Sequence, residues 1–162
     1  MSATIFYVLA FAAVSSTFMS VTRTQMIHAI IYLILSFFSL ALIFFMMGAP
    51  LIAALEVLIY AGAIMVLFLF IVMMLDMGKP RAKKQPFLKV WGPAVVLAAL
   101  ILFSAALLFV AEPGTGMMAG AVFISPRTFG EALFARQVLG VEIVSLLLLF
   151  ALVGSLYLGR RD

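Results

Sequence analysis

Residues 51–75 read LIAALEVLIYAGAIMVLFLFIVMML, and this stretch decides the class of the protein. A helix needs about 20 mostly apolar residues to cross a bilayer, and this run is long enough. A carboxylate, Glu56, and a phenol, Tyr60, stand inside it, followed by Ala61-Gly62-Ala63. An ionisable group within a spanning segment indicates a functional site, and a glycine weakens a helix locally and lets a neighbour approach. The stretch therefore predicts a membrane helix with a polar, deformable middle.

The composition predicts that the whole chain is an integral membrane protein. Of its 162 residues, 67% are hydrophobic and 10% are charged, whereas soluble domains are about a quarter charged. The absence of cysteine excludes disulfides, thiolate metal sites and thiol catalysis. The single histidine, His28, excludes a multi-histidine metal site within this chain. The net charge of +4 comes from basic residues between the apolar runs, so we expect no nucleic-acid partner.

Five apolar runs predict an all-α integral membrane fold, with five transmembrane helices in a single membrane domain of residues 1–162. The runs cover approximately residues 3–21, 27–47, 51–75, 90–111 and 138–158. Small residues that recur every four positions form two stripes: Ala12, Ser16 and Ser20 in the first helix, and Ala151, Ser155 and Gly159 in the last. Such spacing lets helix backbones approach closely, although alanine and serine are common in any membrane helix. A short amphipathic stretch is expected over residues 129–139.

The basic residues predict the orientation of the chain. With five spans the two ends lie on opposite sides, and one side collects eight Lys and Arg residues: Arg23, Lys79, Arg81, Lys83, Lys84, Lys89, Arg160 and Arg161. The positive-inside rule places that side in the cytoplasm. We therefore expect the N-terminus outside and the C-terminus in the cytoplasm, and the expected location is the bacterial cytoplasmic (inner) membrane. The basic loop of residues 76–89 then also contacts anionic lipids.

Two carboxylates within the spans are candidates for a function. Glu56 lies roughly 8 Å inside the outer end of the third helix, one turn before Tyr60, and Glu142 lies at a similar depth in the last helix. A functional interpretation places them beside a water-filled cavity or against basic groups of other chains. A structural interpretation leaves them solvated near the headgroups. Tyr60 and Gly62 favour the functional interpretation for Glu56, and the structural one is preferred for Glu142.

The other polar groups predict less. Gly62 permits a π-bulge, a one-turn widening that often occurs at functional sites. His28 and Tyr32, one turn apart, are expected at the membrane interface, where such side chains extend their polar ends towards water. The sequence contains no nucleophile–base set, no phosphate-binding loop after a strand and no metal-ligand spacing.

The stretch LEVLIYAGAIMVLF, residues 55–68, resembles the signature third helix of subunit J of proton-pumping NADH:quinone oxidoreductase, respiratory complex I. The mitochondrial counterpart is the sixth membrane subunit of NADH dehydrogenase. Further similar positions are His28-Ala29, Tyr32-Leu33 and Ser36 in the second helix, and Glu142-Ile143 and Ser145-Leu146 in the last. The Asn-Pro pair that often precedes the histidine in this family is absent, and Gln25-Met26-Ile27 stands in its place.

The resemblance implies a non-catalytic subunit of an enzyme complex, without a redox centre of its own. NAD, FMN, iron–sulfur clusters and quinone are then expected in partner subunits, and no cofactor in this chain. The expected partners are the quinone-site subunit, small neighbouring subunits and the antiporter-like subunits.

The resemblance also implies that the third helix switches between α-helical and π-bulged forms. The switch would gate a line of waters that couples quinone reduction to proton translocation. The implied hinge is Tyr60, Ala61, Gly62 and Ala63, and the implied apolar plug is Met65, Val66 and Phe68. Glu56 would lie beside the proton path.

Two other functions are considered from the residues alone. A small independent ion transporter or channel would be expected to show an internal repeat or a pair of broken helices, and this sequence shows neither. A passive scaffold subunit would only fill space between its neighbours. Mutation of Tyr60 and Gly62 separates the scaffold from the switch.

Overall fold

The computed structural model of the protein describes residues 2–75, 87–111 and 125–160, and these residues form helices without any strand. The helices are Ser2–Thr22, Met26–Met46, Pro50–Leu75, Phe87–Ala111, Pro126–Arg136 and Val138–Gly159. The third is composite, with α-helical segments Pro50–Leu55 and Met65–Leu75 on either side of a π-helical segment, Glu56–Ile64.

Five of these helices are long and apolar enough to cross a membrane, which confirms the predicted all-α membrane fold. Their bounds agree with the predicted ones to within one residue, except at the start of the fourth helix. That helix begins at Phe87 rather than at residue 90. Lys89 interrupts the apolar run there, so hydropathy alone places the start too late. The orientation predicted from the loops depends largely on residues 76–86 and 112–124, which lie outside the described residues.

A tight turn connects the second and third helices. Gly48 has a φ of 80°, a left-handed conformation that favours glycine. The backbone N–H of Gly48 donates to the carbonyl of Phe45 at 3.1 Å, and that of Ala49 donates to Phe44 at 3.0 Å. Pro50 then starts the third helix, where a missing N–H costs nothing. Gly48 and Pro50 therefore mark the end of the second helix and the start of the third, as a glycine and a proline between two apolar runs indicate.

The chain divides into two compact units, Met1–Val122 and Phe123–Asp162. In the first unit, the second helix contacts the first helix, the fourth helix and all three segments of the third. The second unit contains the short helix and the last spanning helix. The expectation of one membrane domain for the whole chain stays a prediction.

The first and second helices pack through small and hydroxyl-bearing residues. Ala12 and Ser16 have no exposed surface, and the Ser20 hydroxyl donates to the carbonyl of Ala29 at 2.8 Å. The hydroxyls of Thr17 and Ser36 lie 2.7 Å apart. Small residues allow this approach, and the hydroxyls satisfy one another in the absence of water. The predicted stripe in the first helix is therefore a helix contact, and the stripe of Ala151, Ser155 and Gly159 in the last helix stays a prediction.

An apolar cluster joins the first, second and fourth helices. Ile5, Leu9 and Leu108 form its buried centre, and Leu42, Ile43, Met46 and Leu107 pack around them. Large apolar side chains are exposed along the outer faces of the helices, for example Phe11 and Phe18. An apolar outer surface of this extent fits lipid or neighbouring membrane helices.

In the second unit, Ser125 caps the short helix Pro126–Arg136. The backbone N–H of Thr128 donates to the Ser125 hydroxyl at 3.2 Å, and Arg127 pairs with Glu131 at 3.0 Å. The predicted amphipathic stretch, residues 129–139, is thus placed three residues too late. The helix ends at Arg136, Gln137 caps it, and the residues from Val138 onward belong to the last spanning helix.

The packing of the first helix on the second predicts the effect of Ser16→Leu. Overfilling a fully buried position costs about 1–3 kcal/mol, so the variant should unfold at a lower temperature. The measurement is thermal unfolding of the protein extracted from its membrane in mild detergent. Val14→Leu, at a position that is 71% exposed in the same helix, is the control. Equal stability of the two variants would contradict the close packing at Ser16.

Candidate functional site

The third helix contains a nine-residue π-helical segment, Glu56–Ile64. In a π-helix each backbone N–H bonds to the carbonyl five residues before it, and such segments are rare and concentrate at functional sites. The structure confirms the π distortion predicted near Tyr60–Ala63 and shows that it begins earlier, at Glu56. Every residue of the predicted hinge therefore lies in one continuous π segment.

Gly62 has a direct steric reason to be glycine. A Cβ atom built at this position would lie 3.0 Å from the carbonyl oxygen of Val57, five residues earlier in the same helix. That distance is shorter than an ordinary van der Waals contact, and the atom in the way is backbone. A Cβ at residue 62 therefore requires the Val57 carbonyl to move by a few tenths of an ångström, whereas glycine requires no adjustment.

Tyr60 packs against the second helix. Its ring centroid lies 5.5 Å from that of Phe37, with the planes inclined by 39°. Tyr60 remains 48% exposed, while the adjacent Ala61 is buried. The π segment therefore contacts the second helix through the Tyr60 ring, and about half of the Tyr60 side chain stays exposed.

The other predicted site residues of the third helix lie at the start of the π segment or just beyond its end. Glu56 begins the π segment and is partly buried. Met65, Val66 and Phe68 lie in the α-helical segment that follows, where Met65 is partly buried and the other two are exposed. The predicted hinge and the predicted plug are therefore separated by the end of the π segment, and their roles stay predictions.

Glu142 lies in the last helix, which belongs to the second unit. Glu142 is exposed, and its backbone carbonyl accepts a hydrogen bond from the Ser145 hydroxyl at 2.8 Å. That Glu142 and Glu56 lie at a similar depth stays a prediction.

A second group of polar residues surrounds the start of the second helix. Tyr32 is only 1% exposed, so its hydroxyl meets protein rather than water. That Tyr32 lies at the membrane interface stays a prediction. The hydroxyl accepts a hydrogen bond from Arg23 at 3.3 Å, and the Arg23 guanidinium also lies 5.3 Å from the centre of the Tyr32 ring. Arg23 thereby supplies within the protein the partner that water was expected to supply.

His28 also packs inside the first unit. Its ring centroid lies 5.3 Å from that of Trp91, with the planes at 69°, so the fourth helix covers this end of the second. Both ring nitrogens are buried. Within the described residues no group of three or more His, Cys, Asp and Glu side chains is arranged to hold a metal ion.

Residues 16–158 match the family model described as NADH-ubiquinone/plastoquinone oxidoreductase chain 6. The chain belongs to this family. It is similar to the NADH-quinone oxidoreductase subunit J of Pseudomonas aeruginosa, with 39% identity over 161 residues that cover 97% of this chain and 96% of that protein. The subunit J of Escherichia coli strain K12 is 40% identical over 162 residues, covering 97% of this chain and 86% of that protein.

A more distant relative, the subunit J of Rhodobacter capsulatus, is 33% identical over 171 residues, which cover 96% of this chain and 80% of that protein. The predicted family is thereby confirmed. This member of the chain 6 family is a multi-pass membrane protein with a π-helical segment in its third spanning helix.

Three features of this chain 6 family member were not predicted from sequence. The π segment extends back to Glu56, Phe37 contacts Tyr60, and Trp91 covers His28. No pattern separates Phe37 from the adjacent Phe38 in advance, although the pair stands between Ser36 and Ser39. The Ser36 hydroxyl requires a partner within a membrane, which indicates only that this part of the second helix faces a neighbour.

Proposed function

We propose that the protein is a membrane subunit of a proton-translocating NADH:quinone oxidoreductase, and that its π segment is a conformational switch coupling quinone reduction to proton translocation. The observation that carries the proposal is the nine-residue π segment in the middle of a spanning helix, in a chain that belongs to the chain 6 family. A backbone distortion costs stability, so its presence at a glycine that fits it supports a functional role.

The switch works through the register of the backbone. When π hydrogen bonds, five residues apart, convert to α hydrogen bonds, four residues apart, the helix beyond the conversion rotates by about one residue step. That step is about 100° at 3.6 residues per turn. Met65, Val66 and Phe68 follow the π segment directly, so they change the side towards which they point. In one form they block a line of waters, and in the other they leave it open.

The chemistry of electron transfer lies in partner subunits under this proposal. NAD, FMN, the iron–sulfur clusters and quinone bind there, and this chain contributes the moving helix. Its neighbours are the quinone-site subunit, small membrane subunits and antiporter-like subunits, which cover the apolar outer faces of its helices. Glu56 lies beside the water line, and Glu142 has the smaller role.

The proposed orientation places the N-terminus outside the bacterial inner membrane and the C-terminus in the cytoplasm, because basic residues concentrate on one side. A cysteine introduced at Thr115 should then react with a membrane-impermeant maleimide added to intact spheroplasts, and one at Gln85 should not. The chain has no cysteine of its own, so each label is specific within it. The reverse labelling pattern would overturn the orientation.

Gly62→Val tests the switch. The branched side chain crowds the Val57 carbonyl in the π form and should cost about 1–3 kcal/mol there. It should therefore hold the helix in the α form and lower both quinone reduction and proton translocation about tenfold or more in assembled complex.

Leu69→Val, in the α-helical segment beyond the hinge, is the control and should be near normal. Both rates are measured in proteoliposomes with equal amounts of assembled complex. If Gly62→Val works as well as the control, the switch is wrong and the passive scaffold takes its place.

Replacing the carboxylates Glu56 and Glu142 tests their roles in proton translocation. Glu56→Gln should lower proton translocation by less than about tenfold, which corresponds to less than about 1.4 kcal/mol of the barrier, because Glu56 lies beside the path. Glu142→Gln should have a smaller effect. Proton translocation and quinone reduction are measured in the same proteoliposomes, and complete loss of activity in assembled Glu56→Gln complex would show that Glu56 is itself a proton carrier.

A further inference from the structure

We propose that Phe37, on the second helix, is a positioning residue for the switch, because its ring holds the π segment in register through Tyr60. This inference rests on the proposed function of the π segment. The Phe37 and Tyr60 ring centroids are 5.5 Å apart, inside the range of about 4.5–7 Å in which aromatic pairs attract. Tyr60 is the middle residue of the segment Glu56–Ile64, so the contact acts at its centre.

The second helix is held to the first helix on a face next to this contact. Ser36, next to Phe37 in the chain, is buried, and its hydroxyl lies 2.7 Å from that of Thr17 on the first helix. It also lies 3.2 Å from the Ala13 carbonyl oxygen, to which it donates. One turn earlier, the buried Tyr32 accepts a hydrogen bond from Arg23. Phe37 therefore projects from a helix that is fixed to its neighbour, and it can resist a movement of Tyr60.

The ring contact belongs to the π register. The second helix also contacts the α-helical segment before the π segment, where Ala53 is buried. When that segment keeps its place, a change to α hydrogen bonding turns the residues that follow it about the helix axis. Tyr60, in the middle of the converting segment, turns by up to about one residue step of 100° and leaves Phe37. Phe37 thus stabilises the π form relative to the α form.

The size of the effect follows from the contribution of an aromatic pair. Loss of such a pair beyond its area of contact changes an equilibrium by about two- to tenfold. Because a contact made in one form only shifts the population of the two forms, replacement of Phe37 should shift the third helix towards α by that factor.

The test is single-particle electron microscopy of the assembled complex, in which particles are classified by the π or α conformation of residues 56–64. Phe37→Leu should lower the π-to-α ratio about two- to tenfold, and it should also lower coupled turnover. Phe37→Tyr, which keeps an aromatic ring, should restore the wild-type ratio. Phe37→Met is a second non-aromatic variant, used for the same readout if Phe37→Leu assembles poorly.

Phe38→Leu is the matched control, because Phe38 is the adjacent aromatic residue, is 40% exposed and has no ring contact with Tyr60. It should leave the ratio unchanged. An unchanged ratio in both Phe37→Leu and Phe37→Met would overturn the inference. So would an equal shift in Phe38→Leu, since the effect would then come from general packing of the second helix.

The outcome also separates this inference from the proposed function. A shifted ratio in Phe37→Leu with normal turnover would support the role of Phe37 and contradict the switch. An unchanged ratio in Phe37→Leu, together with impaired turnover in Gly62→Val, would reject Phe37 and retain the switch.

Discussion

A helix inside a bilayer has to satisfy its own backbone hydrogen bonds, because hydrocarbon offers no water to replace them. This constraint governs the third helix. A local change of shape there cannot be an opened loop, but it can be a change of register in which each N–H exchanges one carbonyl of the same helix for another. The nine-residue π segment Glu56–Ile64 is such a change. It keeps the backbone bonded while altering the direction of the side chains that follow.

The second helix supports the π segment from one side. It contacts the first and fourth helices and every segment of the third, so it forms the centre of the first unit. On one face, the hydroxyls of Thr17 and Ser36 join it to the first helix. On another, Phe37 meets Tyr60 in the middle of the π segment. A rigid pair of helices therefore lies beside the deformable part of a third, an arrangement suited to converting a small backbone change into a rotation.

Gly62 and its neighbours connect the sequence to the π segment. Gly62 leaves room for the Val57 carbonyl, which a Cβ would approach to 3.0 Å. A π segment can exist without glycine, but here the close approach falls on the one glycine of the stretch. The family to which the chain belongs was predictable from the same residues, because the combination of Glu56, Tyr60 and Ala61-Gly62-Ala63 within an apolar run is distinctive.

The sequence by itself determined the five membrane helices, most of their bounds and the place where the third deviates from α geometry. Apolar length, glycine and proline act locally, so they can be recognised without knowledge of the neighbours. Only the tertiary structure decided that Tyr32 is buried beneath Arg23, that Trp91 covers His28 and that Phe37 packs on Tyr60. In a chain this apolar the faces of a helix differ little in hydropathy, and which face meets which neighbour depends largely on the shape of the side chains between them.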